Sequence, residues 1–242
     1  MLVIGHRGAA GHRPENTISA VREGVELGVD YVEVDVQATK DGEIVVFHDR
    51  HLHRVTNAHG RLADHTYKDL RENVLVMGTE RIPSFEEVCS VVRDGGAGMY
   101  VEIKVPGIEE KVMEIMNRML KQEHRLAASF ILSVVEKTRD IDPNLKRILL
   151  FNRKPMRLRT LVEKSGCSFL GLNVDHIDRA LVKKAHDMGL GALVYTVDDE
   201  RRIHEMIDLN VDGIVSNYPD RVIRALANRG ESDDDKKKHS GV

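Results

Sequence analysis

The chain has 242 residues, of which 41% are hydrophobic and 31% are charged, and this composition is typical of a globular protein rather than a disordered or fibrous one. The formal net charge of −3 lacks the basic excess of a general nucleic-acid-binding protein, so we expect no nucleic-acid partner. The length suits one large domain with a sizeable core, since α/β barrels commonly run to about 250 residues.

Several features bear on the compartment of the protein. The sequence has no apolar run of about 18 residues, the length that predicts a membrane-spanning helix. Its first residues show no basic segment followed by an apolar stretch, so no secretory signal is visible. The two cysteines, Cys89 and Cys167, fall in apolar-periodic stretches and are expected to be small buried thiols. We therefore expect a cytoplasmic protein with no membrane span. The sequence does not decide whether it forms a homo-oligomer.

The first third of the chain contains short β-rich runs and one clear helical pattern. We predict strands over 2–4, 31–36 and 44–47 and a helix over 15–27. Pro14 favours the start of that helix and Gly28 favours its end. The turn residues Asp41 and Gly42 predict a hairpin between the second and third strands. Residues 50–82 lack a clean period, and we predict a surface insertion there with one short helix over 66–72.

The rest of the chain alternates helices and strands regularly. Ser84 is a good helix N-cap, and the alternation resumes there. In chain order we predict helices over 84–93, 108–121, 135–141, 156–165, 177–188, 199–208 and 219–228, and strands over 99–104, 129–133, 146–150, 168–171, 191–196 and 212–215. Repeated strand–helix units imply right-handed crossovers between parallel strands.

Eight such units predict a (β/α)₈ TIM barrel, with a doubly wound open sheet as the alternative. We expect a single domain over 1–228, with a small insertion after the second strand. Residues 229–242 contain runs of Asp and Lys and no apolar side chain before Val242, so we expect a disordered tail.

Charged residues lie within two of the predicted strands. Glu33 and Asp35 are two residues apart and share one face, while the valines around them share the other. Glu102 and Lys104 share a face in the same way. Because the apolar face would pack against helices, we expect the charged face to point into the barrel. The active site of such a barrel lies at the C-terminal ends of the strands.

Three converging carboxylates indicate a metal site. Buried carboxylates are costly unless they are paired or bind a cation, and Glu33, Asp35 and Glu102 would repel one another. A set of oxygen ligands suits Mg²⁺ or Ca²⁺ better than zinc. Two simpler interpretations stay open: the acids on the second strand are ordinary ion-paired residues, or Glu102 and Lys104 form a structural salt bridge.

Two histidines follow predicted strands. His6 and Arg7 come directly after the first strand in a loop with Gly8. His48 comes directly after the third strand, which is the return strand of the hairpin. A histidine alone is more often structural, but a histidine beside an arginine at a strand end indicates a functional role. The histidines of the insertion match no tight metal spacing, and we interpret them as solvated loop residues.

These residues belong to an ordered series of motifs. The series is His6-Arg7-Gly8, Pro14-Glu15-Asn16-Thr17, Glu33-Val34-Asp35-Val36, Thr39-Lys40-Asp41-Gly42, Val45-Val46-Phe47-His48-Asp49, Glu102-Ile103-Lys104, Tyr195-Thr196-Val197-Asp198 and Asp212-Gly213-Ile214-Val215-Ser216-Asn217-Tyr218-Pro219. It resembles the glycerophosphodiester phosphodiesterase family over nearly the whole chain, to about residue 225. Tyr195 stands where that family usually has a tryptophan.

The resemblance implies a (β/α)₈ barrel that hydrolyses glycerophosphodiesters to sn-glycerol 3-phosphate and an alcohol. By position it implies metal ligands at Glu33, Asp35 and Glu102, an acid–base pair at His6 and His48, and phosphate contacts from Arg7 and Lys104. The implied cofactor is a divalent cation, Mg²⁺ or Ca²⁺, and the implied partner is a small-molecule glycerophosphodiester. Neither the attacking oxygen nor the histidine that first acts as base is decided by the sequence.

Other functions remain as alternatives. A related barrel phosphodiesterase would act on lysophospholipids, but the insertion shows no apolar rim for an acyl chain. A non-catalytic phosphate-binding barrel could lack a histidine or a carboxylate, whereas every expected polar position is filled here. A barrel isomerase or aldolase would have no evident need for two histidines at separate strand ends.

Overall fold

A computed structural model describes the backbone of residues 1–239 and the side chains of residues 1–229; residues 240–242 lie outside the described part. Its strands are β1 (Leu2–Gly5), β2 (Tyr31–Ala38), β3 (Ile44–Val46), β4 (Gly98–Ile103), β5 (Arg125–Ser129), β6 (Lys146–Phe151), β7 (Phe169–Asn173), β8 (Gly191–Tyr195) and β9 (Gly213–Ser216). All except β3 are parallel, and pairing of β1 with both β2 and β9 closes them into a barrel. β3 is antiparallel to β2, as the hairpin signal predicts.

Helices follow the strands and form the outer layer. They are α1 (Ile18–Glu26), α2 (Tyr67–Asn73), α3 (Phe85–Gly95), α4 (Glu109–Met119), α5 (Leu132–Ile141), α6 (Leu158–Ser165), α7 (Arg179–Asp187), α8 (Glu200–Asp208) and α9 (Pro219–His239). The alternation of strand and helix around a closed parallel barrel confirms the predicted (β/α)₈ fold and excludes the open sheet.

Side chains along each strand point alternately outward and inward, so the barrel has one apolar layer on each face of its sheet. Val34 and Val101 face outward and pack with helix residues such as Phe85, within the large cluster between barrel and helices. Residues such as Ile4 and Leu193 face inward and fill the barrel below the mouth. The interior is therefore a packed core.

The insertion between β3 and α3 has a small core of its own. Two 3₁₀ turns, Leu52–Arg54 and Leu62–Asp64, precede α2, which confirms the predicted short helix. Thr66 and Asp69 form a capping box that fixes the start of α2. The apolar cluster under the insertion consists of Val45, Phe47, Leu52, Val55, Leu62, Leu70, Val74, Val76 and Ile82. This cluster leaves no clean period in the sequence because its members come from turns as well as the helix.

Several element boundaries differ from the sequence prediction. The predicted strand over 129–133 lies four residues too late, since β5 is Arg125–Ser129. The run Phe130-Ile131-Leu132 has high β propensity, but it forms the loop after β5 and the start of α5. The predicted helix over 15–27 begins only at Ile18, with Thr17 as its N-cap, because the residues before it belong to the mouth of the barrel.

The C-terminal helix continues beyond the predicted domain end. α9 runs from Pro219 to His239 and so enters the segment 229–242 that we predict to be a disordered tail. The last three residues of that segment lie outside the described part, and the disordered tail stays a prediction. Among the described helices, none combines the length and the apolar character needed to cross a membrane.

Gly8 offers a test of the packing beneath the mouth. Its φ is +90°, and a Cβ there would lie 2.4 Å from the backbone carbon of Ala20 in α1. Gly28 has a similar φ of +83°, but a Cβ there would meet nothing within 4 Å. We expect Gly28→Ala to lower the free energy of unfolding by about 1–2 kcal/mol from backbone strain alone. Gly8→Ala should cost about 1–3 kcal/mol more because of the clash. Urea unfolding measures both, and equal losses would contradict this packing.

Candidate active site

Three carboxylates meet at the C-terminal mouth of the barrel. Glu33 and Asp35 come from β2, and Glu102 comes from β4, where it pairs in register with Asp35. All three side chains are buried, and one oxygen from each lies within 4.8 Å of the others. The structure therefore brings together the three acids that the strand alternation predicts on one inward face.

Two cations lie against this group of acids. The Lys104 Nζ is 2.6 Å from Glu102 Oε1 and 3.3 Å from Asp35 Oδ1. The Arg7 Nε is 3.4 Å from Asp35 Oδ2, and the Arg7 backbone N–H donates to Glu33 Oε2 at 2.8 Å. The salt bridge between Glu102 and Lys104 thus exists, but it is one part of a larger charged cluster at the mouth rather than an isolated structural pair.

The pKa values of the three acids reflect their burial and their mutual repulsion. Burial raises the pKa of Glu33 well above its usual range, and the charges of Asp35 and Glu102 add to the effect. Burial and Asp35 also raise the pKa of Glu102 to about 7. For Asp35, burial is outweighed by Lys104 and Arg7, so its pKa lies below the usual value. The two protein cations therefore do not fully compensate three ionised carboxylates.

The three acids fit a divalent cation. They offer only oxygen donors, which is the ligand type that Mg²⁺ and Ca²⁺ prefer. Two oxygens bound to the same Ca²⁺ lie at most about 5 Å apart, and the separations here stay within 4.8 Å. A doubly charged ion would also supply the positive charge that lets Glu33 and Glu102 ionise.

His6 is held in one tautomer by a chain of hydrogen bonds. Its Nδ1 lies 2.7 Å from Asn217 Oδ1, and Asn217 Nδ2 donates to Asp198 Oδ2 at 2.7 Å. Because an amide oxygen only accepts, the proton of a neutral His6 ring is on Nδ1 and Nε2 is free. That Nε2 lies 4.0 Å from Glu33 Oε2, and burial lowers the pKa of His6 to about 4.

His48 reaches the same cleft from another segment and has a different partner. Its Nδ1 lies 2.6 Å from Asp49 Oδ1, so the ring donates from Nδ1 and presents Nε2. Burial of Asp49 is outweighed by hydrogen bonds from Arg54 and His48, which lower its pKa to about 2. Asp49 is therefore an anion that holds the His48 ring in this orientation.

A chain of alternating charges joins the two sides of the mouth. The Arg7 Nη1 donates to Glu15 Oε1 at 2.7 Å, and Arg54 Nη1 donates to Glu15 Oε2 at 2.9 Å. Arg54 also donates to Asp49, which holds His48. The insertion residue Arg54 thus orients the segment around His48 and, through Glu15, the guanidinium of Arg7.

The sequence interpretation gave no role to several of these residues. Asn16 donates from Nδ2 to Asp35 Oδ2 at 2.9 Å and accepts the Asp35 backbone N–H at 3.3 Å. Asn217 and Asp198 orient His6, while Glu15 and Arg54 form the chain to His48. The only signal for Asn16, Asn217, Asp198 and Glu15 was their place in the ordered motifs.

The charged groups open into one cleft of about 610 Å³. His6, Arg7, His48, Glu102 and Lys104 line it on one side. Its other walls are polar and aromatic, formed by residues that include Phe130, Asn152, Asn173, Asp175 and Tyr195. A cleft with cations beside buried carboxylates and two presented imidazole nitrogens suits a phosphate ester, whose transfer requires charge neutralisation and proton exchange.

Comparison with known proteins decides the family. The sequence pattern of the glycerophosphoryl diester phosphodiesterase family matches residues 6–221. The chain belongs to this family. Membership confirms the resemblance seen in the motifs and the expected enzyme class, a phosphoric diester hydrolase.

Individual members of this family match nearly the whole chain. A glycerophosphodiester phosphodiesterase of Caldanaerobacter subterraneus is 32% identical over 243 residues, covering 95% of this chain and 99% of the relative. One of Bacillus subtilis is 30% identical, covering 91% of this chain and 84% of the relative. An Oleispira antarctica phosphodiesterase, solved with the product sn-glycerol-3-phosphate, superposes with a TM-score of 0.88 at 26% identity, covering 94% of this chain and 97% of that one.

Arg54 provides a test of the charge chain. Arg54→Ala should lower kcat for phosphodiester hydrolysis by about 10–100-fold, because an orienting partner of a working residue is lost. Arg54→Lys should restore part of the rate. The control is Arg71→Ala, which removes an arginine of the same insertion that pairs with Glu87 at 2.9 Å, away from the mouth. Steady-state kinetics measure the effect, and an unchanged kcat in Arg54→Ala would refute the link.

Proposed function

We propose that the protein hydrolyses glycerophosphodiesters to sn-glycerol 3-phosphate and an alcohol, with the help of a divalent cation. The observation that carries this proposal is the meeting of three carboxylates, two cations and two oriented imidazoles at one mouth. Relatives named for this activity and a neighbour holding sn-glycerol-3-phosphate support it.

The phosphate would bind in the cleft at the mouth, beside the cation site and the two basic side chains. Glu33, Asp35 and Glu102 are the residues that would hold the cation, which supplies Lewis-acid neutralisation of phosphate charge when it is bound. Arg7 and Lys104 add positive charge on the protein side.

The glycerol moiety would occupy the deep end of the cleft. Tyr100, Phe130 and Tyr195 lie there beside His6. Their rings offer apolar surface to the glycerol carbons, and the amides of Asn152 and Asn173 line the cleft within reach of hydroxyl groups. The headgroup would then point toward His48 and the open side.

The two histidines would divide the proton transfers. His6 presents an unprotonated Nε2 at the deep end and takes the proton of the attacking oxygen as its bond to phosphorus forms. His48, whose ring is oriented by Asp49, donates a proton from Nε2 to the headgroup oxygen as the bond from that oxygen to phosphorus breaks. The same pair serves attack by water or by a glycerol hydroxyl, in which case water then opens the cyclic phosphate.

Removal of either imidazole tests the proton transfers. We expect His6→Ala and His48→Ala to lower kcat for glycerophosphocholine by about 10²–10⁴-fold each. The matched control is His204→Ala on the exposed face of α8, which should keep the wild-type rate. Release of glycerol 3-phosphate in a coupled assay measures the effect. Full activity in either site variant, or faster cleavage of lysophospholipids than of glycerophosphocholine by the wild type, would contradict the proposal.

Metal binding tests the carboxylates independently of turnover. We expect isothermal titration to show one site for Mg²⁺ or Ca²⁺ and Asp35→Asn to weaken it at least about ten-fold, since a charged ligand is lost. Asp94→Asn, at an exposed carboxylate of α3, is the control and should bind as the wild type does. Wild-type affinity in Asp35→Asn, or full turnover of the wild type in excess chelator, would show that these acids do not hold a required ion.

A further inference from the structure

A second depression, the side groove, lies beside the active-site cleft and has a volume of about 450 Å³. Its walls include Arg50, Arg61 and Ala63 of the insertion, Gln37 of β2, and Val105 and Ile108 after β4. One side is therefore apolar, and the other carries two guanidinium groups. The groove plays no part in the chemistry described above.

The side groove borders the cleft, because residues that line one are followed closely in the chain by residues that line the other. Lys104 lines the cleft and the next residue, Val105, lines the groove. His48 lines the cleft and Arg50 lines the groove, and two residues of extended chain span only about 7 Å. Gln37 fixes the segment between them, because its Nε2 donates to the backbone oxygens of His48 at 3.1 Å and Asp49 at 2.8 Å.

Arg50 and Arg61 differ from Arg7 and Arg54 in their partners. Within the described side chains, neither guanidinium makes a hydrogen bond or an ion pair, whereas Arg7 and Arg54 are engaged by carboxylates. The two residues are nevertheless held side by side. The Leu62 backbone N–H donates to Arg50 O at 3.0 Å, and an antiparallel bridge joins His51 to Arg61.

We propose that the side groove binds the headgroup of the substrate and that Arg50 and Arg61 favour headgroups with a negative charge of their own, such as a carboxylate or a second phosphate. This inference rests on the proposed function, in which His48 protonates the headgroup oxygen at the entrance of the groove. The apolar wall then contacts the carbon atoms of the headgroup, and the planar guanidinium groups hold its anionic end.

The experiment compares two water-soluble diesters, glycerophosphoserine with a carboxylate and glycerophosphocholine with none. In the double variant Arg50→Ala and Arg61→Ala, the ratio of kcat/KM for the serine ester to that for the choline ester should fall about ten-fold, as expected for two exposed charge contacts. The change should appear in KM and diminish at high salt. Replacement of both by lysine should restore part of the ratio.

Arg153→Ala is the matched control, since it removes an exposed arginine next to Asn152 on the opposite side of the mouth. It should leave the ratio unchanged. An unchanged ratio in the double variant, or an equal loss on both diesters, would overturn the headgroup assignment while the proposed function stands. If the wild type cleaves neither diester, the proposed function itself fails and the headgroup assignment fails with it.

Discussion

The repulsion among three buried carboxylates is the constraint on which the mouth of this barrel depends. Glu33, Asp35 and Glu102 place oxygens within 4.8 Å of one another, and all three side chains are buried. Such a group persists only where positive charge offsets it. Arg7 and Lys104 supply part of that charge, and a divalent cation would supply the rest. The groups that offset the acids are also those that a phosphodiester requires for binding.

The insertion supplies side chains that contact residues at the mouth of the barrel. Its own apolar cluster gives it a fixed shape on the β2–β3 hairpin. On that base, Arg54 connects Glu15 with Asp49, so the segment carrying His48 and the loop carrying Arg7 are oriented together. Residues of the same insertion, Arg50, Arg61 and Ala63, also line the side groove. In the proposed function, this one segment would therefore affect proton transfer, phosphate binding and the choice of headgroup.

The sequence predicted the fold and the convergence of the three acids because both depend on local alternation. Period-2 patterning placed Glu33, Asp35 and Glu102 on one face, and the strand–helix repeat predicted the barrel. The boundary of β5 was wrong because Phe130 and its apolar neighbours have high β propensity but belong to a loop and a helix start. The partnerships of Arg54 and Asn217 could not be predicted, since each joins segments far apart in the chain through side-chain geometry alone.

The central claim is that the three carboxylates hold a divalent cation beside the two histidines. Anomalous diffraction from crystals soaked in Mn²⁺, an ion with the same preference for oxygen ligands as Mg²⁺, tests it most directly. The account predicts a strong peak within bonding distance of oxygens from Glu33, Asp35 and Glu102. Ordered Mn²⁺ only at other surface sites, with Lys104 still filling the space between the acids, would contradict it.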